Sequence, residues 1–243
     1  MKYEAWVITD KGLRRDSNQD SSLTNTEKGF FVVADGMGGH SGGEVASSIA
    51  VATVNELMSD PETMERSPRE IIMKTYEIAS HRIYDKAAKE NPELAGMGTT
   101  MVLGYIRDGN IYIGNVGDSR CYMFQRPYLW QVTEDHSLVN EQLRSGLLTE
   151  DQARTQGGKN VITRSVGYER DVYPDVIERA LSDGEIFIFC SDGLSNMVND
   201  VKLAEIFNNN PPGKAAKICI EQALANGGDD NVTVLVLHIQ AVS

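Results

Sequence analysis

Nothing in this sequence divides the chain or fits it for a membrane, and each absence narrows what the protein can be. There is no apolar run approaching the ~20 residues that cross a bilayer as a helix, and Met1-Lys2-Tyr3-Glu4 opens no apolar leader. A cytoplasmic protein with no membrane partner is expected. No Pro- or Ser-rich linker interrupts the 243 residues, enough for one large domain with a full core, and the expectation is a single domain over 1–243. Cationic residues are in deficit: 23 Lys and Arg stand against 35 Asp and Glu, a net charge of −12. Such a balance opposes long-range attraction to a phosphate backbone and leaves no basic stripe for nucleic acid. Cysteine is scarce too. Cys121, Cys190 and Cys219 are odd in number, far apart and set among apolar neighbours, and they read as reduced packing residues.

Against these absences one stretch stands out, Gly29-Phe30-Phe31-Val32-Val33-Ala34-Asp35-Gly36-Met37-Gly38-Gly39-His40. An apolar run of this kind reads as a buried strand. It ends in a carboxylate, and the glycines after it permit φ > 0 or the close approach of a ligand. Asp-Gly also occurs in solvated turns, but the pattern recurs: Ile186-Phe187-Ile188-Phe189-Cys190 runs into Ser191-Asp192-Gly193. Around these two runs the chain reads as strands over 3–9, 21–26, 99–107, 111–116, 120–124, 129–133 and 232–239, with extended character over 172–181. Asp108-Gly109-Asn110 gives a hairpin signal. Helices are expected over 44–58, from a capping box at Ser67-Pro68-Arg69-Glu70, over 138–144, from a second box at Thr149 to Gln152, and over 201–207 and 213–225. Strands in runs with helices grouped between them predict a layered α+β fold. The polar, Gly-punctuated segment 135–167 is expected to be a flap over a site.

Five acids, Asp20, Asp35, Asp118, Asp192 and Asp230, fall at strand ends or in turns leading to strands. Brought together without cations they would repel by about 4 kcal/mol per close pair at an effective dielectric of ~20. A cluster therefore implies bound metal, and all-oxygen ligation favours Mg²⁺ or Mn²⁺ over zinc. Five independent caps are the alternative.

The motifs Arg15-Asp16-Ser17-Asn18-Gln19-Asp20, Val33-Ala34-Asp35-Gly36-Met37-Gly38-Gly39, Gly98-Thr99-Thr100, Gly117-Asp118-Ser119-Arg120, Ser191-Asp192-Gly193 and Asp230-Asn231 occur together and in order. In them the chain resembles the metal-dependent Ser/Thr phosphatases of the PPM/PP2C family, in their compact bacterial form. The resemblance implies two stacked antiparallel β-sheets flanked by helices on both sides, and hydrolysis of phosphoserine and phosphothreonine in phosphoprotein substrates, most simply by a monomer. It implies that Asp35 bridges two Mg²⁺ or Mn²⁺ ions, that the Gly36 carbonyl binds one of them, and that Asp192 and Asp230 complete the other. Asp20 would act mainly through metal-bound waters, Asp118 with Asp192 would hold a third, weaker ion, and Arg15 would grip the phosphate. The nucleophile would be water. Consistent with that, no cysteine has Arg six positions on, the spacing of a cysteine-nucleophile phosphatase: Asn196, Pro127 and Ala225 occupy those places.

One position departs from the family pattern. Animal members carry a His two residues after the bridging Asp, where this chain has Met37. His40 is the nearest imidazole; it either supplies the proton, through water, or is a surface residue at the entry. His136, in Thr133-Glu134-Asp135-His136-Ser137, is expected to be structural. A silent relative that only binds phosphoproteins would be expected to have lost a ligand, whereas all five acids and Arg15 are present. A purely structural metal domain leaves Arg15 unexplained.

Overall fold

A computed structural model of the chain describes residues 1–39, 42–90, 92–149, 152–153 and 161–242. Two antiparallel sheets stack face to face. The first runs in the order β1 (Lys2–Asp10), β11 (Val232–Ala241), β10 (Ile186–Cys190), β7 (Arg120–Gln125) and β8 (Tyr128–Gln131). The second runs β2 (Asp20–Asn25), β3 (Phe30–Met37), β5 (Met101–Arg107), β6 (Asn110–Val116) and β9 (Asp175–Ala180), with the short β4 (Gly98–Thr99) pairing the end of β3. Outside the second sheet lie α1 (Gly42–Leu57), α2 (Pro61–Met64) and α3 (Pro68–Asp85). Outside the first lie α6 (Asp200–Asn209) and α7 (Pro212–Ala225), with the one-turn α5 (Asp192–Ser195) beside them, while α4 (Leu138–Arg144) belongs to the segment between β8 and β9.

This layering explains why the central strands read as unbroken apolar runs. In β3, Phe31 and Val33 face the other sheet and meet Phe187, Phe189, Leu235 and Leu237. Phe30, Val32 and Ala34 face outward, yet α1 and α3 cover them with Ala50, Val54, Ile72 and Tyr76. Both faces are buried, so no polar alternation survives. The same holds for β10, whose outward Ile188 and Cys190 meet Leu203, Phe207 and Cys219. At ~25 cal/mol per Å² of apolar surface, these three layers are the main source of stability. All three cysteines are buried and free, and among the described residues no helix is long and apolar enough to cross a membrane.

Local chemistry accounts for the element ends. Asp108 and Gly109 both take positive φ, 52° and 80°, giving the two-residue turn whose twist suits a hairpin. The Ser67–Glu70 capping box forms in full, and Thr149 and Gln152 exchange the two bonds of the second. The structure differs from the sequence reading at three places. The strand expected over 99–107 breaks at Thr100, because Thr100 turns both its N–H and its hydroxyl to the backbone of Asp35. Asp192 opens a helical turn rather than ending a strand. The turn of helix at α2 was not expected; Asp60 caps it by accepting from the Thr63 N–H, with Pro61 at the first position.

Candidate active site

The two sheets present their acids at one end, around a cavity of ≈ 570 Å³ lined by Arg15, Asp35, Gly36, Asp118, Asp192 and Asp230. Asp20 stands behind this wall, directly across the strand pair from Asp35. Backbone geometry delivers each group. The N–H of Asp35 donates to Thr100 Oγ1 at 3.0 Å, and its carbonyl accepts from the Thr100 N–H and the Thr99 hydroxyl, each at 2.8 Å. Gly36 admits no side chain, since a Cβ there would sit 2.0 Å from the Gly43 carbonyl oxygen. Gly193 is under the same constraint, 2.0 Å from the Asn231 carbonyl oxygen, which seats α5 and its Asp192 against the start of β11. Asp118 rides the turn between β6 and β7, where Gly117 takes φ 102°.

The side chains are held unequally. Asp20 Oδ2 accepts from the Thr233 hydroxyl at 2.6 Å and the Ser191 hydroxyl at 2.8 Å, while its Oδ1 is buried with no partner. Asp192 accepts from Asn196 Nδ2 at 3.0 Å. Arg15 donates from Nη2 to Asp230 Oδ2 at 2.6 Å, its side chain about half exposed. Arg14 pairs loosely with Asp229 at 3.8 Å on the surface, as a solvated neighbour would.

Burial and mutual repulsion dominate the electrostatics. Burial, then the charges of Asp20, Asp192, Asp118 and Asp230, hold the Asp35 carboxyl well above the usual carboxylate range. Asp118 is pushed up to about 7, by burial first and by Asp192 and Asp135 after it. Asp20 also rises to about 7, because burial outweighs the hydrogen bonds from Thr233 and Ser191. Burial and Asp230 raise Asp192, with hydrogen bonding to Asp35, the charge of Arg15 and the Asn196 amide acting the other way.

The supporting roles of several residues were not read from the sequence, although most of these residues stand in the motifs. Asn231 is a clip: its Oδ1 accepts from the Gln19 N–H, and its Nδ2 donates to the carbonyls of Lys11 and Ser17, each at 2.8 Å, fastening the loop that carries Arg15 to β11. Thr100, Ser191 and Thr233 are the others. Ser191 and Asn231 directly flank a motif acid, Thr233 lies three residues after Asp230, and Thr100 closes the Gly98-Thr99-Thr100 motif; those placements are the available signal. His136 does prove structural. Its Nδ1 accepts from the Gly117 N–H at 3.1 Å, so the other nitrogen carries the proton, facing Asp175 at 3.1 Å. Burial lowers its pKa despite the acid beside it. His40 lies outside the described residues, as do parts of the 135–167 segment.

A buried carboxylate oxygen without a partner, beside four further acids and a backbone carbonyl, is a donor set for a hard divalent cation and a poor one for anything else. Among the described residues no three acidic, His or Cys side chains are arranged to hold an ion alone, so the Gly36 carbonyl and water would have to share the coordination.

The fold is a two-sheet sandwich with helices outside, and the cleft at its end gathers oxygen donors of the kind that suits divalent cations. The chain belongs to the protein phosphatase 2C family, whose family model matches residues 12–210. It is 36% identical over 237 residues to the serine/threonine phosphatase stp of Listeria innocua, covering 95% of this chain and 93% of the relative. Among solved structures, Stp1 from Staphylococcus aureus superposes with a TM-score of 0.89 at 30% identity, covering 99% of this chain and 96% of that one. The catalytic domain of the serine/threonine protein phosphatase PstP, in complex with 2 manganese ions, gives 0.87 at 30% identity, covering 98% of each.

The raised acids set the pH dependence of the metal-free protein. Asp20 and Asp118 keep their protons to about pH 7, against about 4 in an unfolded chain. The folded form therefore binds more protons in that window, and this stabilisation is complete below about pH 4 and lost as pH rises through about 7. His136 works oppositely, since its lowered pKa removes stability as pH falls below about 6.5, but it is one group against several. By scanning calorimetry the Tm of chelator-treated protein is expected to fall between about pH 5 and pH 8, and Mn²⁺ to flatten the slope. A Tm rising across that range would mean that the acids ionise freely without a cation.

Proposed function

We propose that this chain removes phosphate from phosphoserine and phosphothreonine in proteins, with water as nucleophile, at a centre of two Mg²⁺ or Mn²⁺ ions. In this reading Asp35 would serve both ions, the Gly36 carbonyl would serve one, and Asp192 and Asp230 would serve the other. Asp118 with Asp192 would hold a third, weaker ion. The observation that carries the proposal is the convergence of five aspartates, four of them with crowded and buried carboxyls, with Arg15 at their edge. Protein phosphatase 2C membership and the manganese-loaded PstP relative support it. The enzyme would act as a cytoplasmic monomer.

Phosphate monoesters need rate enhancements of up to ~10²¹. When bound, such ions would supply charge to the phosphate oxygens and make a bound water far more acidic. The chain's own residues do the rest. The planar fork of Arg15 takes two phosphate oxygens in parallel charge-assisted bonds. Asp20, with one oxygen fixed by two hydroxyls, keeps the free one to order a water. Asn231 and Thr100 hold the strands and the loop in register, so that these groups meet the phosphate with little reorganisation. Met37 lines the cleft but carries no proton to give. The proton on the leaving alkoxide therefore comes from water or through His40. The 135–167 segment, carrying α4, serves as a flap that selects protein substrates.

The decisive experiment combines a chelator with metal counting. Chelation is expected to abolish phosphatase activity, and Mn²⁺ or Mg²⁺ to restore it; full activity in metal-free protein would sink the mechanism. In the same assay Asp118→Ala should keep two ions yet turn over slowly, whereas Asp192→Ala should disturb both sets. A fully active Asp118→Ala enzyme would remove the third ion from the reading. For Arg15→Ala the expected result is a raised KM with a smaller change in kcat, about 1.5–3 kcal/mol in kcat/KM. An unchanged KM for a phosphate monoester would mean that another group holds the phosphate. Altering the 135–167 segment should change rates on phosphoproteins more than on a small aryl phosphate, and equal losses would make it part of the catalytic framework.

A further inference from the structure

Beside the catalytic cleft, and sharing Met37 and Ile162 with it, lies a second cavity of ≈ 670 Å³ formed by the chain between residues 162 and 175. Its lining includes Tyr168 and Tyr173, which are 61% and 72% exposed. Two exposed aromatic rings on the lining of one cavity offer apolar faces to whatever enters it. Their exposure is not that of an untethered loop. The N–H of Val166 donates to the Thr99 carbonyl at 2.8 Å, the Val166 carbonyl accepts from the Thr99 N–H at 3.0 Å, and the Gly167 N–H donates to the Ser80 hydroxyl at 3.0 Å. Ser80 in turn donates to the Glu169 carbonyl at 2.9 Å. Gly167 takes φ 90°, and a Cβ there would strike Ile83 at 2.1 Å. The backbone is thus pinned on both sides of Tyr168. Because Thr99 also holds the Asp35 carbonyl, the cavity keeps a fixed position relative to the reacting centre.

Its charge is one-sided. Glu169, Asp171 and Asp175 face a single guanidinium, Arg164, which leaves two net negative charges. Arg164 is already engaged, donating to Asp175 at 3.0 Å and to the Tyr173 carbonyl at 3.1 Å. Asp171 pairs with His81 at 3.0 Å. The carboxylate of Glu169 is exposed and has no partner among the described residues. Aromatic faces beside an unpaired carboxylate make a receptor for a cation on a long apolar stem, the form of an arginine or lysine side chain.

We propose that this cavity is the subsite for a basic residue near the phosphorylated Ser or Thr of the protein substrate. The inference rests on the phosphatase reading of the neighbouring cleft and adds to it the sequence context that the enzyme prefers. It also addresses an electrostatic difficulty, since a phosphopeptide without basic residues approaches a protein of net charge −12 against its field.

The test uses the full chain loaded with Mn²⁺, a small aryl phosphate, and a set of phosphothreonine peptides with Arg, Ala or Glu scanned through the four positions on either side. At one or more positions Arg should give a kcat/KM about fivefold or more above Ala, carried by KM and shrinking as salt is raised. Glu169→Gln and Tyr168→Leu should each erase most of that preference while leaving rates on the aryl phosphate and the Ala peptide unchanged. Turnover of the aryl phosphate with no Arg preference anywhere in the scan overturns the subsite and leaves the phosphatase reading intact. So does a preference for Glu, which would assign the cavity to Arg164. Variants that lose activity equally on all substrates overturn it as well. No turnover of the aryl phosphate or of any peptide sinks the underlying phosphatase reading, and the subsite with it.

Discussion

The constraint on which this structure turns is the repulsion among five carboxylates brought together at one end of an apolar sandwich. No close pair of such charges is cheap: each costs about 4 kcal/mol at an effective dielectric of ~20, comparable to a large share of the stability of an ordinary domain. The sheets absorb that cost because they are rigid and apolar elsewhere. Phe31, Val33, Phe187, Phe189, Leu235 and Leu237 fill the space between them without exposure, and the two helical layers close the outer faces. An acid on such a scaffold cannot relax away from its neighbours. Its only escapes are to keep a proton, as Asp20 and Asp118 do to about pH 7, or to gain a cation.

The two sheets contribute differently to that end. Asp20 and Asp35 are direct cross-strand partners in one sheet, so a one-residue slip of β2 against β3 would turn the two side chains to opposite faces. The hydroxyls that restrain Asp20 come from the other sheet's ends, Ser191 after β10 and Thr233 in β11. A bond from one sheet to the other at this point fixes their stacking where the acids stand. Asn231 does the same for the loop, with three hydrogen bonds from one amide. Removing any of these polar supports leaves a buried partner unsatisfied, a cost of about 1–3 kcal/mol, at the place where displacement matters most.

What could be read from the sequence follows the same physics. The strand bearing Asp35 was legible because burial on both faces demands an unbroken apolar run, and the Asp108-Gly109 turn because positive φ selects its residues. The capping boxes at Ser67 and Thr149 were legible because they are local. Convergence of the five acids became legible once their motifs were seen in order, not from spacing, since strands far apart in the chain bring them together. The break at Thr100 and the helical turn at Asp192 were hidden for a related reason: each is imposed by a tertiary partner, the Asp35 backbone in one case and the Asn231 carbonyl against Gly193 in the other. Local propensity carries no trace of a partner that distant. The roles of Asn231 and Thr233 were hidden likewise, although both sit beside Asp230.

Arg15 stands among the acids of the site, yet the scaffold holds it only weakly. It is half exposed and tied to Asp230 by a single contact, whereas Arg120, by contrast, is locked to Asp135 through three bonds in a largely buried setting. An exposed ion pair is worth about 0–1 kcal/mol, so Arg15 can leave the carboxylate at little cost, while Arg120 cannot leave its partner without stranding a desolvated charge. The Asp230 contact raises the guanidinium's already high pKa, so its charge is secure. The floor of the site therefore owes its geometry to burial and its rim to weak pairing. The division follows from burial alone: desolvated acids cannot move apart, and a half-exposed guanidinium can.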